Sequence, residues 1–209
     1  MKINRKAFYD NYRKHFGKLT QPIVDSLELL INKLETGLFK LPTQMAYMLA
    51  TIYHETAGTF HPVVEGYWIK KNRVAVLWNY YRQNNPVALK SIFPNGVTGL
   101  TYEGRGYVQI THEWNYDKFG LKETPEKALD PKIAFLVMEK GMANGLFTGK
   151  TLQQYVNENT TDYIKARKVI NGLDRAQLIA GYAVKLEQGI DLVSDELAMQ
   201  GYQQETYLS

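Results

Sequence analysis

Two glutamates ten residues apart, Glu55 in the segment HETAGTF and Glu65 in VVEGYW, are the side chains of this 209-residue chain best placed for acid–base chemistry. Hydrolysis of a glycosidic bond needs one carboxyl that keeps its proton to donate to the leaving oxygen, and a second that is ionised to activate water or attack. Glu55 falls at the end of an expected helix. The negative end of the helix dipole disfavours ionisation there, which suits an acid. Glu65 lies in a polar stretch beside Gly66, where contact with solvent is expected to keep it charged and able to act as a base. A helix end and the loop after it could supply opposed walls. With 21 acidic residues, such a pair also arises by chance.

A second segment, Tyr102–Tyr116 (YEGRGYVQITHEWNY), changes the weight of that pair. Together with HETAGTF it resembles the glycoside hydrolase family 19 chitinases and the phage endolysins related to them, whose hallmark joins a helix-borne HET to a GRG-aromatic-x-Q-[IL]-[ST]-x3-NY stretch. DYIKARKVING, near the C-terminus, is similar to the family's Ala-Arg-x3-Asn-Gly element, and the opening RKHFGKLTQPIVDSLELL is similar to the leading helices of phage members. The three motifs occur in the family's order, and the resemblance covers most of the chain.

The resemblance implies Glu55 as general acid, Glu65 as base and Thr111 as the hydroxyl that holds the attacking water with Glu65. It implies that Gln109 and Asn115 hydrogen-bond the sugar, that Tyr107 lines the cleft, that Asn171 faces the substrate and that Arg167 is structural. His54 would orient Glu55 or a cleft water. Trp68, with Tyr67 and Trp114, flanks the motifs closely enough for a cleft role. Glu103, one residue before GRG, is a rival second carboxylate, read as a rim residue or as the ion-pair partner of Arg105.

Other chemistries fit less well. HExxH would need a histidine where Gly58 stands, so a zinc site is not expected. Gly104-x-Gly106 lacks the third glycine of a dinucleotide loop, no serine sits in GxSxG, and no cofactor is implied. The four histidines, His15, His54, His61 and His112, read as satisfied polar residues. The absence of cysteine rules out disulfides and thiolate metal sites.

Hydrophobic residues at 44% and charged residues at 22% describe an ordinary globular chain. The formal charge of +4 is spread out without a basic run, so nucleic acid is not an expected partner. No apolar stretch reads as a signal peptide or a membrane span. The expectation is synthesis in a bacterial cytoplasm, with access to the wall through a holin-type release.

Apolar spacing predicts helices over Ile23–Leu34 (with Pro22 in the first turn), Pro42–Thr56, Arg73–Gln83, Asp130–Gly141, from Thr160 or Thr161 to Gly172, and Asp174–Gly189. Asn159-Thr160-Thr161 is read as a cap. Strand signals are confined to Tyr107–Thr111 and Val63–Ile69. The expected class is mostly α, one catalytic domain over 1–209 with N-terminal helices 1–36 packed on it. The resemblance adds a lysozyme-like, two-lobed form with a central glycan cleft. The function it implies is hydrolysis of β-1,4 bonds between N-acetylated amino sugars of peptidoglycan, by a monomer. A chitinase and a non-catalytic glycan-binding module are the alternatives.

Overall fold

A computed structural model of the chain describes residues 1–196, and that span is mostly helical. In chain order come β1 (Lys2–Ile3), α1 (Arg5–Phe16), α2 (Gln21–Thr36), α3 (Pro42–Glu55), β2 (Val63–Val64), α4 (Arg73–Asn84), α5 (Pro86–Ile92), β3 (Arg105–Gly106) and α6 (Glu113–Lys118). There follow α7 (Pro131–Asn144), β4 (Val156–Asn157), β5 (Thr160–Thr161), α8 (Tyr163–Ala166), α9 (Ala176–Glu187) and β6 (Leu192–Val193). The strands form antiparallel pairs, β1 with β6, β2 with β3 and β4 with β5. Two compact units emerge, one of Met1–Phe60 with the chain from Glu139 onward, the other His61–Met138.

In the first unit α3 is the central helix, because it is apolar on every side: Met45, Ala46, Tyr47, Met48, Leu49, Ala50 and Ile52 are all buried. It packs on α9, which contributes Ile179, Ala183 and Leu186. The predicted stripe of α2 is buried at Val24, Leu27, Leu30, Ile31 and Leu34, and Pro22 sits in its first turn. Each such leucine removed from water contributes about 1.5–3 kcal/mol. Arg5, itself buried, ties α1 to α2 through Nε to Glu28 Oε2 at 3.0 Å and Nη2 to Asn32 Oδ1 at 2.9 Å.

The helix expected from Thr160 or Thr161 is corrected. Those threonines form β5 of a hairpin whose turn is closed by Asn157 Oδ1, which accepts from the N–H groups of Asn159 (2.9 Å) and Thr160 (3.1 Å). The cap is Asp162, whose Oδ1 accepts from Lys165 N at 2.9 Å. The helix tightens into a 3-10 turn at Arg167–Val169 after one turn of α8. The last helix starts at Ala176, not Asp174, because Arg175 adopts φ +58°, outside the helical region. Leu178 faces outward on it, 43% exposed. In α7, which ends at Asn144, Gly141 is no stop: a Cβ there would lie 2.0 Å from the Phe147 ring, so the glycine admits a packed aromatic.

In the second unit α4 matches its prediction to within a residue. Two helices were missed, α5 and α6, although Asn85 and Pro86 carry the signal for the first: Asn85 Oδ1 caps Ala88 N at 3.1 Å. Leu77, Ala88, Ile92 and Phe93 form this unit's small core. The strand expected over Tyr107–Thr111 is displaced. β3 lies at Arg105–Gly106, paired as Val63↔Gly106 and Val64↔Arg105, and the chain then folds back so that Arg105 and Ile110 exchange backbone hydrogen bonds of 3.2 and 3.0 Å. Gln109, at φ +52°, makes that reversal possible and breaks the extended run. Asp130 Oδ1 caps α7 as its Asp-Pro pair predicts, accepting from Lys132 N at 2.8 Å and Ile133 N at 3.1 Å.

Candidate active site residues

In the first unit the HETAGTF segment is a rigid helix exit. Thr56, fully buried, donates through Oγ1 to Ile52 O at 2.8 Å and accepts from Phe60 N at 3.0 Å, so the chain wraps tightly after α3. Gly58, at φ +81°, donates to Tyr53 O at 2.8 Å. Phe60 anchors the wrap, its ring 5.6 Å from Tyr53 and 6.1 Å from Tyr12.

Glu55 is the last residue of α3, as predicted, and its side chain is 16% exposed. Arg167 Nη1 donates to its Oε1 at 2.8 Å, while Arg167 Nε donates to Asp174 O at 3.2 Å. Arg167, expected to be structural, is thus a direct partner of Glu55, delivered by the 3-10 turn that replaces the end of the predicted helix. Two opposed fields meet on the carboxyl: the helix end disfavours negative charge and the guanidinium favours it. His54 lies beside this pair, half-buried. Burial pushes its pKa down from 6.5, against the pull of Glu55, and the charges of Arg167 and Arg175 push the same way as burial, so the ring is neutral at pH 7. Asn171 is exposed, with its Oδ1 engaged by Gly172 N at 2.8 Å.

The second unit builds a separate cluster around Glu65. Its backbone N–H donates to Gly104 O at 2.7 Å, extending the β2–β3 pairing. Its Oε2 accepts from Gly104 N at 3.1 Å and its Oε1 from Tyr81 OH at 2.8 Å. Glu65 is half-buried and held by these two donors, not kept in solvent contact as the sequence suggested. Thr111 donates its hydroxyl proton to Gln109 O at 3.0 Å, which leaves the oxygen's lone pairs as acceptors. A Cβ at position 104 would stand 2.9 Å from Gln109 Oε1 and 3.4 Å from Thr111 Oγ1. The glycine therefore lets Glu65, Gln109 and Thr111 converge.

Several expected roles change here. Tyr107 does not line a surface: it is 1% exposed, within a stretch buried from Thr101 to Val108. Gln109 donates both amide protons internally, to Val63 O at 2.8 Å and Gly106 O at 2.9 Å, and so pins the β2–β3 pair. Asn115 is likewise engaged, with Thr111 O at 2.8 Å and Lys118 Nζ at 3.1 Å. Glu103 is the ion-pair partner of Arg105, one of its two expected readings, and no rim residue. It is fully buried, its Oε1 bonded to Arg73 Nη2 at 2.7 Å and to Arg105 Nη2 at 3.0 Å. Burial opposes its ionisation, yet the charge of Arg105 and the hydrogen bonds from Thr101 and Arg73 hold its pKa below the usual carboxylate value. Arg105 also donates to Thr101 O at 2.7 Å and Tyr116 OH at 3.1 Å, a structural anchor throughout.

Trp68 is 68% exposed and meets Tyr67 edge to face at 5.2 Å. Trp114, 54% exposed, stacks on His112 with ring centroids 4.4 Å apart and planes 7° off parallel. His112 has φ +74° and shares a 2.8 Å hydrogen bond with Ser91. Burial lowers its pKa against the charge of Glu65. Sequence reasoning missed Tyr81, Arg73 and Ser91, which sit outside every motif. Among the described residues no group of three or more His, Asp or Glu could hold a metal ion, and no helix is long and apolar enough to cross a membrane. Comparison with protein-family models, with curated proteins and with solved structures returned no match.

Proposed function

We propose that this chain is a peptidoglycan-cutting glycosidase of the family 19, chitinase-like endolysin type, acting on β-1,4 bonds between N-acetylated amino sugars by inverting hydrolysis. The observation that carries the reading is the Glu65 cluster. A carboxylate fixed by Tyr81 OH and Gly104 N–H shares its glycine with Thr111, the hydroxyl that the motif resemblance names as water holder. General-base work asks for an oriented acceptor near a group that can aim a water, and the approach of both Glu65 and Thr111 to Gly104 supports that reading.

In the proposed step Glu55 gives its proton to the glycosidic oxygen as the bond to the anomeric carbon breaks. A water hydrogen-bonded to Thr111 Oγ1 transfers its other proton to Glu65 as its oxygen joins that carbon from the opposite face, and it keeps its remaining proton as the new sugar hydroxyl. Glu55 ends ionised and Glu65 protonated, and solvent restores both. Arg167 compensates the charge that Glu55 acquires as it gives up its proton, which supports transition-state stabilisation by a preorganised cation. The route requires the two carboxyls to stand about 6.5–9.5 Å apart with glycan bound. Trp68 and Trp114 supply exposed aromatic faces suited to sugar rings. The same reading has the enzyme act as a monomer on the wall after holin-type release.

One observation favours a second reading. The Glu55–Arg167 ion pair stabilises a charged carboxylate where an acid must carry a proton, as a non-catalytic glycan-binding module would tolerate. Mass analysis of muropeptides from purified sacculi separates the two, with colloidal chitin as a parallel substrate. The enzyme reading expects new reducing ends from wild type and a loss of at least about 10²-fold in Glu55→Gln. A fully active Glu55→Gln removes the acid assignment, and sacculi bound but left uncut by wild type turn the reading to the binding module.

A further inference from the structure

Helix α4 holds Glu65 at both ends, and neither contact belongs to a motif. Tyr81, two turns along α4 from Arg73, donates its hydroxyl to Glu65 Oε1 at 2.8 Å. Arg73, the first residue of the helix, donates through Nη1 to Glu65 backbone O at 2.9 Å, and its Nη2 is locked on Glu103 at 2.7 Å. One residue later the chain turns at Gly66, φ +70°, where a Cβ would lie 3.0 Å from Ile69 and 3.3 Å from Leu77 of the same helix. Tyr81 is itself held by its ring, half-buried against the Leu77–Phe93 cluster, with Phe93 at 6.1 Å. A donor so fixed is aimed before any substrate arrives, and it leaves Glu65 Oε2 to Gly104.

We infer that Tyr81 is a positioning residue for the base: its hydroxyl, set by α4, fixes the rotamer of Glu65 and so the direction of its free lone pairs. The inference rests on Glu65 acting as the base. The groups around the carboxylate bear out the need for such a donor. Arg73 spends its charge on Glu103, Arg105 does the same, His112 is neutral at pH 7, and Tyr116 donates to Glu103 O at 2.7 Å. Among the described residues, Tyr81 and Gly104 donate to the carboxylate itself, one from a side chain and one from the backbone. The phenol in turn keeps its proton, because burial and the adjacent Glu65 charge both raise its pKa.

Tyr81→Phe removes the one oxygen and retains the ring that packs on Phe93, so the fold survives. A lost hydrogen bond to a charged group is large enough to lower a rate about tenfold. The experiment measures kcat and KM for reducing-end release from sacculi by wild type, Tyr81→Phe and Glu65→Gln. The expected result is kcat down about tenfold in Tyr81→Phe with KM within about twofold, since the substrate still binds while the base is no longer aimed. A kcat within about twofold of wild type, or a loss that falls on KM instead, overturns the inference while the glycosidase reading stands. If Glu65→Gln cuts as fast as wild type, Glu65 is not the base. The reading then fails by that result alone, and the inference falls with it.

Discussion

Replacing Glu103 by glutamine tests whether the buried carboxylate between Arg73 and Arg105 holds the second unit together. Its side chain is 0% exposed and its Oε1 takes guanidinium donors at 2.7 and 3.0 Å. At an effective dielectric near 20 each such contact contributes several kcal/mol, and desolvation of the ions offsets much of that. Removing one partner leaves the cations without their counter-charge, a loss of about 3–5 kcal/mol. Glutamine keeps one acceptor oxygen, and Arg105 keeps Thr101 O and Tyr116 OH, so Glu103→Gln falls near the lower end, about 3 kcal/mol; Glu103→Leu, with no acceptor, falls near the upper. Urea titration followed by near-UV circular dichroism reads the difference. The sign of the pH dependence follows from the lowered pKa. The native state binds the Glu103 proton more weakly than the unfolded chain, so the stabilisation is complete above the ordinary glutamate value of 4.5 and is lost as pH falls through the native value. The gap between wild type and Glu103→Gln therefore narrows in acid. A loss below about 1 kcal/mol, the scale of an exposed ion pair, would refute the reasoning, and so would a gap that widens as pH falls.

Tyr107→Ala is expected to destabilise by about 3–5 kcal/mol in the same urea assay, whereas Tyr107→Phe leaves KM for sacculi unchanged, because the ring is core and not cleft; a raised KM in Tyr107→Phe would return it to the substrate. Arg167→Leu removes the 2.8 Å partner of Glu55 and is expected to lower reducing-end release about 10²-fold through misplacement of the acid, checked against an unchanged affinity for sacculi. Activity within twofold of wild type would show that the pair is structural.

The helices with long apolar periods were legible: α2 and α3 carry their proline in the first turn as expected, α7 follows its Asp130–Pro131 pair, and α4 begins at Arg73 as expected. So was the position of Glu55 at the end of α3, since Gly58 marks the stop. What could not be read depended on single residues forced into left-handed backbone. Gln109 at φ +52° turns an expected strand into a reversal, and Arg175 at φ +58° delays α9 by two residues. Neither residue type announces that conformation. The hairpin at Val156–Thr161 was hidden because Asn159-Thr160-Thr161 reads as the cap of the next helix, whereas the threonines form β5 and Asn157 closes the turn. Of the candidate site, the motifs name Glu55, Glu65 and Thr111 but not the side chains that the structure sets against them. Tyr81 and Arg73 lie on a helix with an ordinary sequence, and only the tertiary approach of α4 to Gly66 makes them neighbours of Glu65.

The two glutamates have the same side chain and different donors. Glu65 receives a phenol and a backbone N–H, both neutral, which orient it without adding a formal charge nearby. Glu55 receives a guanidinium at a helix end, so a full positive charge lies against it. On the proposed reading both carboxyls change charge in the reaction, Glu65 by taking a proton and Glu55 by giving one up, and only the second has a cation placed to balance the charge it gains. The same cation favours the charged carboxylate before the reaction begins, which is why the binding-module reading competes with it. Removing the guanidinium therefore decides between them: on the enzyme reading cleavage falls about 10²-fold in Arg167→Leu, whereas on the binding-module reading there is no cleavage to lose and only retention on sacculi responds.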